Sequence, residues 1–160
     1  MLTTAVQTPR EVRYRDGDVM GVSFEIACRR DGTPPSPEDC AWVGAMRRIA
    51  MARLQYRGLD ALQDDVGFIV SELVTNAILH SGTTTVSLTM AVQDGDLYLS
   101  VADGIPGVPS PVQAAGTDAE SGRGLALVDA LVKENGGTWG TNDIGAMTWC
   151  RLVIPSGDQL

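Results

Sequence analysis

One segment constrains the fold of this chain more than any other, because residues 62–78 repeat apolar side chains at a helical period. The apolar members of the repeat are Leu62, Val66, Ile69, Val70, Leu73, Val74, Ala77 and Ile78. At about 100° per residue they cover one broad face, as in a helix that packs against a core. Asp60 and Gln63, three residues apart, predict a capping box at its start, and Ser81-Gly82 predicts its end.

Alternating apolar residues elsewhere in the chain predict strands. The first strand is expected from Val19 to Cys28, and the last, which closes a terminal hairpin, from Met147 to Ile154. Between them, the runs Val86–Val92 and Leu97–Val101 flank the turn Gln93–Asp96. This arrangement predicts a hairpin of two half-buried strands.

Two further helices complete the predicted elements. Ser36 is a preferred N-cap and Pro37 a preferred first helical residue, so a helix is expected from there to Gly58. A third helix is expected over about Arg123–Lys133, after a loop rich in Gly and Pro at residues 104–122. The elements together predict an α+β, two-layer sandwich with a mixed, mostly antiparallel sheet covered by helices on one face.

The length of 160 residues is typical of a single domain. We expect residues 1–18 to form a lead-in, residues 19–156 to form the domain and residues 157–160 to form a tail. No apolar run approaches the roughly 20 residues of a membrane helix, and Met1–Arg10 lack the apolar core of a signal peptide. These observations predict a cytoplasmic protein that does not associate with membranes.

The net charge of −8 is concentrated in the later part of the chain. Residues 61–160 hold three basic residues against twelve acidic ones, whereas residues 1–60 hold nine against eight. Because binding to DNA or RNA depends on many contacts of Lys or Arg with phosphates, we expect no direct nucleic-acid partner. A phosphate ligand in the acidic part would need a metal ion or backbone donors.

Glu72 and Asn76 are the polar residues that stand out on the main helix. Since they are four positions apart, they are neighbours on the shoulder of the apolar face. A carboxylate and an amide at the edge of a core can face a polar ligand, or they can form a solvated pair at its rim. Their spacing leaves both interpretations open.

Two loops carry further candidate site residues. Asp103 follows a predicted buried strand and precedes a turn that contains Gly104 and Gly107. Its carboxylate can accept the amino group of a base that approaches over glycine, or it can simply cap the turn. The run Ser121–Leu125 opens directly into an apolar helix, and its free amides, the helix dipole and Arg123 can bind an anion.

Taken in this order and spacing, these features resemble the N, G1 and G2 boxes of the GHKL superfamily of ATP-binding domains. The three boxes are Glu72-Leu-Val-Thr-Asn76-Ala, Asp103–Gly107 and Gly122-Arg-Gly124-Leu. The stretch Gly58–Ser81 and the ending Gly145–Trp149 before Ile154-Pro155 are similar to the small stand-alone members, the anti-sigma-factor serine kinases and related actinobacterial regulators. The resemblance spans roughly residues 36–155 and implies a Bergerat-type ATP-binding fold.

The resemblance also implies ATP and Mg²⁺ as ligands and a role for each matching residue. It implies that Asn76 is the Mg²⁺ ligand, that Glu72 is the general base and that Asp103 reads adenine. Gly107 would form the floor under the base, and Thr148 would be a further contact in the adenine site. The phosphate cradle and lid hinge would consist of Gly122, Arg123, Gly124 and Leu125.

Three positions depart from the family pattern. Ile105 stands at the middle glycine of the second box, and Leu79 stands where close relatives often have a cation. In the last strand Met147 takes the place of the usual threonine, which comes one residue later as Thr148. Because a strand shifted by one residue presents its other face, this change bears directly on the adenine site.

The resemblance implies two functions between which the sequence does not decide. The first is a serine/threonine protein kinase that phosphorylates an anti-anti-sigma-type antagonist and so controls transcription. The second is a non-catalytic module that sequesters a sigma factor, with nucleotide as a structural ligand or with a degenerate site. Stand-alone relatives commonly dimerise, so a homodimer is also implied.

Overall fold

The computed structural model of the chain describes residues 16–27, 33–80, 84–103, 119–142 and 147–155. Within the helices, the side chains of His80 and of residues 119–123 lie outside this description. Gly107, Ile105 and most of the predicted lead-in also lie outside the described residues. Of the helices described, none has the length and apolar character needed to cross a membrane.

Five strands form one sheet, and all of its described pairings are antiparallel. The strands are β1 (Gly17–Glu25), β2 (Thr85–Gln93), β3 (Asp96–Ala102), β4 (Thr138–Thr141) and β5 (Met147–Val153). Their order across the sheet is β1-β2-β3-β5-β4. The predicted sheet was mixed and mostly antiparallel, whereas all the described pairings are antiparallel. The sheet also contains β4, a strand that the sequence did not predict because it is too short to show an alternating pattern.

The predicted hairpin is confirmed by β2 and β3. Asp94 and Gly95 occupy its two-residue turn with φ values of 53° and 82°. Both values fall in the left-handed region, as a type I′ turn requires, and Asp-Gly is a favoured pair there. The turn fixes the register that pairs Leu88 with Val101 farther along the hairpin.

Three helices pack on the sheet. They are α1 (Pro37–Tyr56), α2 (Gln63–His80) and α3 (Ala119–Asn135). The predicted start of α1 is confirmed, because the hydroxyl of Ser36 accepts a hydrogen bond from the backbone N–H of Asp39 at 3.1 Å. This bond satisfies one of the free amides of the first turn.

The starts of the other two helices differ from the prediction. Asp60 does not cap α2 but begins a short 3-10 segment, and the Gln63 side chain donates to the carbonyl of Met51 at 3.4 Å instead of closing a capping box. Helix α3 begins at Ala119 and not near Arg123. Ala and Glu are strong helix formers, so the helix extends back through the glycine-containing segment.

The core lies between the sheet and the helices, which confirms the two-layer α+β sandwich. Its fully buried side chains come from both layers: Met46, Leu54, Val66, Ile69, Leu88, Leu97 and Val128. The other face of the sheet is open and carries polar pairs, such as the hydroxyls of Thr89 and Ser100 and the ion pair of Arg151 with Asp96 at 3.0 Å. The helix-covered face is therefore the one that shapes a site between layers.

Candidate functional site

The shoulder of α2 carries the first two candidate residues. Glu72 and Asn76 are both half-buried, as their positions beside the apolar face predict. The neighbouring hydroxyls of Ser71 and Thr75 donate to carbonyls of the same helix at 2.8 and 2.6 Å. Those two hydroxyls therefore bond within the helix, while Glu72 and Asn76 are the half-buried carboxylate and amide at its edge.

The second turn of α3 lies directly against Glu72. A Cβ atom built on Gly124 would overlap Oε2 of Glu72 and would lie 3.1 Å from its Cδ atom. Gly124 is buried, and α2 and α3 pack against each other. The structure thus brings together the first and third boxes, which are far apart in the sequence.

Side-chain contacts anchor the other end of α3. The side chain of Asn135 donates to the carbonyl of Val153 at 3.0 Å and accepts from its N–H at 2.8 Å, which ties the helix to β5. Trp139 of β4 donates to Asp129 at 2.9 Å, and Lys133 pairs with the same carboxylate at 2.8 Å. The hydrogen bonds from Lys133 and Trp139 lower the pKa of Asp129.

Sequence reasoning missed these anchors. Asn at a helix end is an ordinary C-terminal signal, and its pairing with a strand fourth in the order of the sheet leaves no local trace. Because the anchors fix where α3 ends, they also determine where its start meets α2. Asn135 is in this sense a functional residue that the boxes did not indicate.

Asp103 and Thr148 mark the opposite side of the candidate site. Residues 97, 99 and 101 of β3 face the helices, and Asp103 continues this alternation immediately beyond the strand, where it is half-buried. Thr148 pairs with Val101, so it lies on the same helix-covered face and diagonally from Asp103. Met147 faces the open side. The one-residue shift in the last strand therefore places the threonine, rather than the methionine, on the side of the site.

The third box does not have the predicted geometry. Gly122 and Arg123 lie within α3, whose free N–H groups at its start belong to residues 119–121. The Arg123 side chain is outside the described residues, and Leu125 is half-buried against the core. The glycine-rich turn that was expected to precede the helix is thus part of the helix itself.

The packing of α2 on β3 places the two pairs, Glu72 with Gly124 and Asp103 with Thr148, on one side of the sheet. Gly107, the predicted floor under the base, is outside the described residues. Another concavity of about 440 Å³ lies on the open face beside Tyr98 and Trp149. Among the predicted site residues that the structure describes, none lines that concavity, so it is separate from their positions.

The donor set fits Mg²⁺ that arrives with a nucleotide. Among the described residues, no group of three or more His, Cys, Asp or Glu side chains could hold a metal ion. Mg²⁺ commonly takes only one or two ligands from the protein and completes its octahedron with phosphate oxygens and water. The amide oxygen of Asn76 is a hard ligand of this kind, and the neighbouring acidic surroundings favour a cation.

Comparison with known proteins identifies the same region. The family model of the histidine kinase-like ATPase domain matches residues 36–147, which is more than half of the chain. The match extends from α1 to the first residue of β5 and includes all three boxes. No curated protein matches the sequence.

Proposed function

The chain belongs to the histidine kinase-like ATPase domain family, and we propose that within it the protein is a Mg²⁺-ATP-dependent serine/threonine protein kinase. Family membership supports ATP binding and a regulatory role. The proposed substrate is an antagonist protein of the anti-anti-sigma type, and the proposed output is control of transcription. We further propose that the same domain binds a sigma factor and acts as a homodimer.

One observation carries this proposal, namely the contact between the carboxylate of Glu72 and the second turn of α3 at Gly124. Phosphoryl transfer depends mainly on positioning and on stabilisation of negative charge. The contact fixes the candidate base against the second turn of α3, so the packing of the two helices sets its position. A solvated rim pair at Glu72 would not need a buried glycine opposite its carboxylate.

The residues of the chain would divide the work as follows. Glu72 would accept the proton of a serine or threonine hydroxyl of the substrate. The oxygen of that hydroxyl would bond to the γ-phosphorus of ATP while the bond between this phosphorus and the leaving ADP oxygen breaks. Asp103 and Thr148 would hold the adenine, and Asn76 would hold Mg²⁺. The ion supplies the positive charge that this acidic part of the chain lacks.

Leu79 favours a second candidate function, a module that binds its partner without catalysis. Its side chain lies at the end of α2 just beyond Asn76 and is 44% exposed. An exposed apolar side chain at this place provides no charge for a phosphate and can instead contact a protein partner. In that case nucleotide would be a structural ligand.

Calorimetry with ATP and ADP, with and without Mg²⁺, tests the nucleotide site. We expect Asp103→Ala to weaken ATP binding roughly 10- to 100-fold, since hydrogen bonds to charged groups contribute about 1.5–3 kcal/mol. Glu134→Gln, at the far end of α3, is the matched control and should bind as the wild type does. If the wild type has no affinity for either nucleotide, the kinase fails, and the non-catalytic module with a degenerate nucleotide site is the candidate that is left.

A transfer assay separates the two candidates. Purified antagonist proteins of the anti-anti-sigma type are incubated with the wild type and with ATP labelled in its γ-phosphate. Label on serine or threonine of an antagonist supports the kinase. Tight ATP binding combined with stable capture of a partner and no transfer of label supports the non-catalytic module.

A further inference from the structure

The backbone conformation at position 124 does not require a glycine. Gly124 is the sixth residue of α3, and its φ value lies outside the left-handed region. A glycine inside a helix destabilises it relative to alanine, so the residue is unfavourable by helix propensity. The reason for a glycine must therefore lie in its surroundings, and the nearest neighbour is the Glu72 carboxylate.

We propose that Gly124 is a positioning residue for Glu72. The missing side chain leaves the space that the carboxylate occupies, so the second turn of α3 determines where the general base can lie. The inference rests on the proposed function for the role of Glu72 as a base. Its structural part, the steric coupling of positions 72 and 124, can be measured independently of catalysis.

The side chain of Glu72, and not the helix backbones, would have to move if a methyl group were added at position 124. Val128 and Val132 hold α3 in the core, and both are fully buried. Leu73 and Val74 hold α2 in the same way, directly after Glu72 in the sequence. Because close-packed interiors yield little, the carboxylate would turn away from its present position.

Two other helical glycines show why Gly124 is different. A Cβ atom on Gly44 would lie 3.2 Å from Nη1 of Arg48, and one on Gly67 would lie 2.9 Å from Sδ of Met51. Those neighbours have no proposed role in the candidate site, whereas the neighbour of Gly124 is the proposed general base. Gly44 lies on α1, outside the candidate site, so Gly44→Ala is a matched control for the general effect of alanine in a helix.

Thermal unfolding of Gly124→Ala in three backgrounds tests the steric coupling. In Glu72→Ala the space is vacant, and we expect Gly124→Ala to raise the Tm by roughly 1–4 °C through helix propensity. In the wild type and in Glu72→Gln, which keeps the size of the side chain, we expect no rise or a fall. Gly44→Ala should raise the Tm equally in all three backgrounds. An equal effect of Gly124→Ala in the three backgrounds would overturn the inference.

Kinetics test the catalytic part. We expect Gly124→Ala to lower kcat about 10- to 100-fold, because a small misplacement of a reacting group is costly, and to leave the Kd for ATP unchanged. Gly44→Ala should change neither quantity. An unchanged kcat with weaker ATP binding would overturn the positioning role. If the wild type transfers no phosphate, the proposed function fails, and the thermal measurements alone decide whether positions 72 and 124 are coupled.

Discussion

The contact between α2 and α3 has a carboxylate at each end, in two different environments. At one end Asp65 lies near other acids, and its pKa is raised by burial first and then by the charges of Glu134 and Asp64. At the other end Glu72 lies against the bare backbone of Gly124. The first carboxylate is partly buried beside like charges, whereas the second meets a buried glycine in the second turn of α3.

This difference shows why a perturbed acid does not by itself identify a site. Partial burial of Asp65, and then repulsion from nearby acids, raise its pKa without creating space or donors for a ligand. The surroundings of Glu72 combine the bare backbone of Gly124, which leaves room for the carboxylate, with the amide side chain of Asn76 one turn along α2. The second end therefore pairs a positioned carboxylate with an amide oxygen that fits a hard cation.

The largest expected effect separates the two ends through catalysis. Glu72→Gln should lower phosphate transfer by about 10²- to 10⁴-fold, because a positioned general base contributes a factor of that size. ATP affinity should change little. Asp65→Asn removes one negative charge at the opposite end, as Glu72→Gln does at its own, and should leave kcat unchanged. Transfer rates and calorimetry on both variants provide the measurement, and an equal loss of transfer in both would contradict the distinction between the two ends.

The next effect tests how tightly α2 is packed in the core between Asp65 and Glu72. Ile69 lies between Asp65 and Glu72 on α2 and is fully buried. Ile69→Ala should lower the free energy of unfolding by about 2–5 kcal/mol, since it removes buried methyl groups and leaves a cavity. The conservative control Ile69→Val should lower it by about 0.5–1.5 kcal/mol. Urea unfolding measures the free energy of unfolding of both variants. A decrease for alanine no larger than that for valine would show that α2 is loosely packed at Ile69.

The smallest effect sharpens the description of the acidic end. The folded-state pKa of Asp65 is raised, so its ionised form is disfavoured in the folded protein. Asp65→Asn should therefore increase stability at neutral pH, by less than about 1 kcal/mol for a carboxylate this close to solvent. The gain should disappear as the pH falls below the ordinary value of 3.8, where the carboxyl is protonated in both states.

Urea unfolding as a function of pH measures that gain. Glu134→Gln is the control, because it removes one source of the repulsion and should give part of the same gain. The double variant should gain less than the two single variants together. A gain from Asp65→Asn that persists at low pH would mean that a contact of the asparagine, rather than removal of charge, stabilises the protein.

Local patterns in the sequence were sufficient for most of the fold. The apolar repeat of α2, the cap at Ser36 and the Asp94-Gly95 turn each depend on neighbours within a few residues, and each is confirmed. The capping box at Asp60 was wrong, because a 3-10 segment precedes α2 and Gln63 bonds to Met51 of another helix. That contact is tertiary and has no signal in the local sequence.

The candidate site was predictable in its residues but not in its arrangement. The predicted start of α3, near Arg123, lies after the observed start at Ala119, because Gly122 and Gly124 are typical of a turn but here lie inside the helix. The contact of Gly124 with Glu72 joins positions that are distant in the chain, so no periodic pattern reveals it. The face occupied by Thr148 likewise follows only from its pairing with Val101.

Titration of the isotope-labelled protein with Mg²⁺-ATP, followed by the shifts of its backbone amide signals, tests most directly whether the separated boxes enclose one nucleotide. The residues expected to shift together, with a single Kd, are Glu72, Asn76, Asp103, Gly124 and Thr148. The amide signals of residues near Asp65 and Glu134 should not shift. Saturable shifts confined to the open face of the sheet around Trp149, with the five site residues unaffected, would contradict the proposed site.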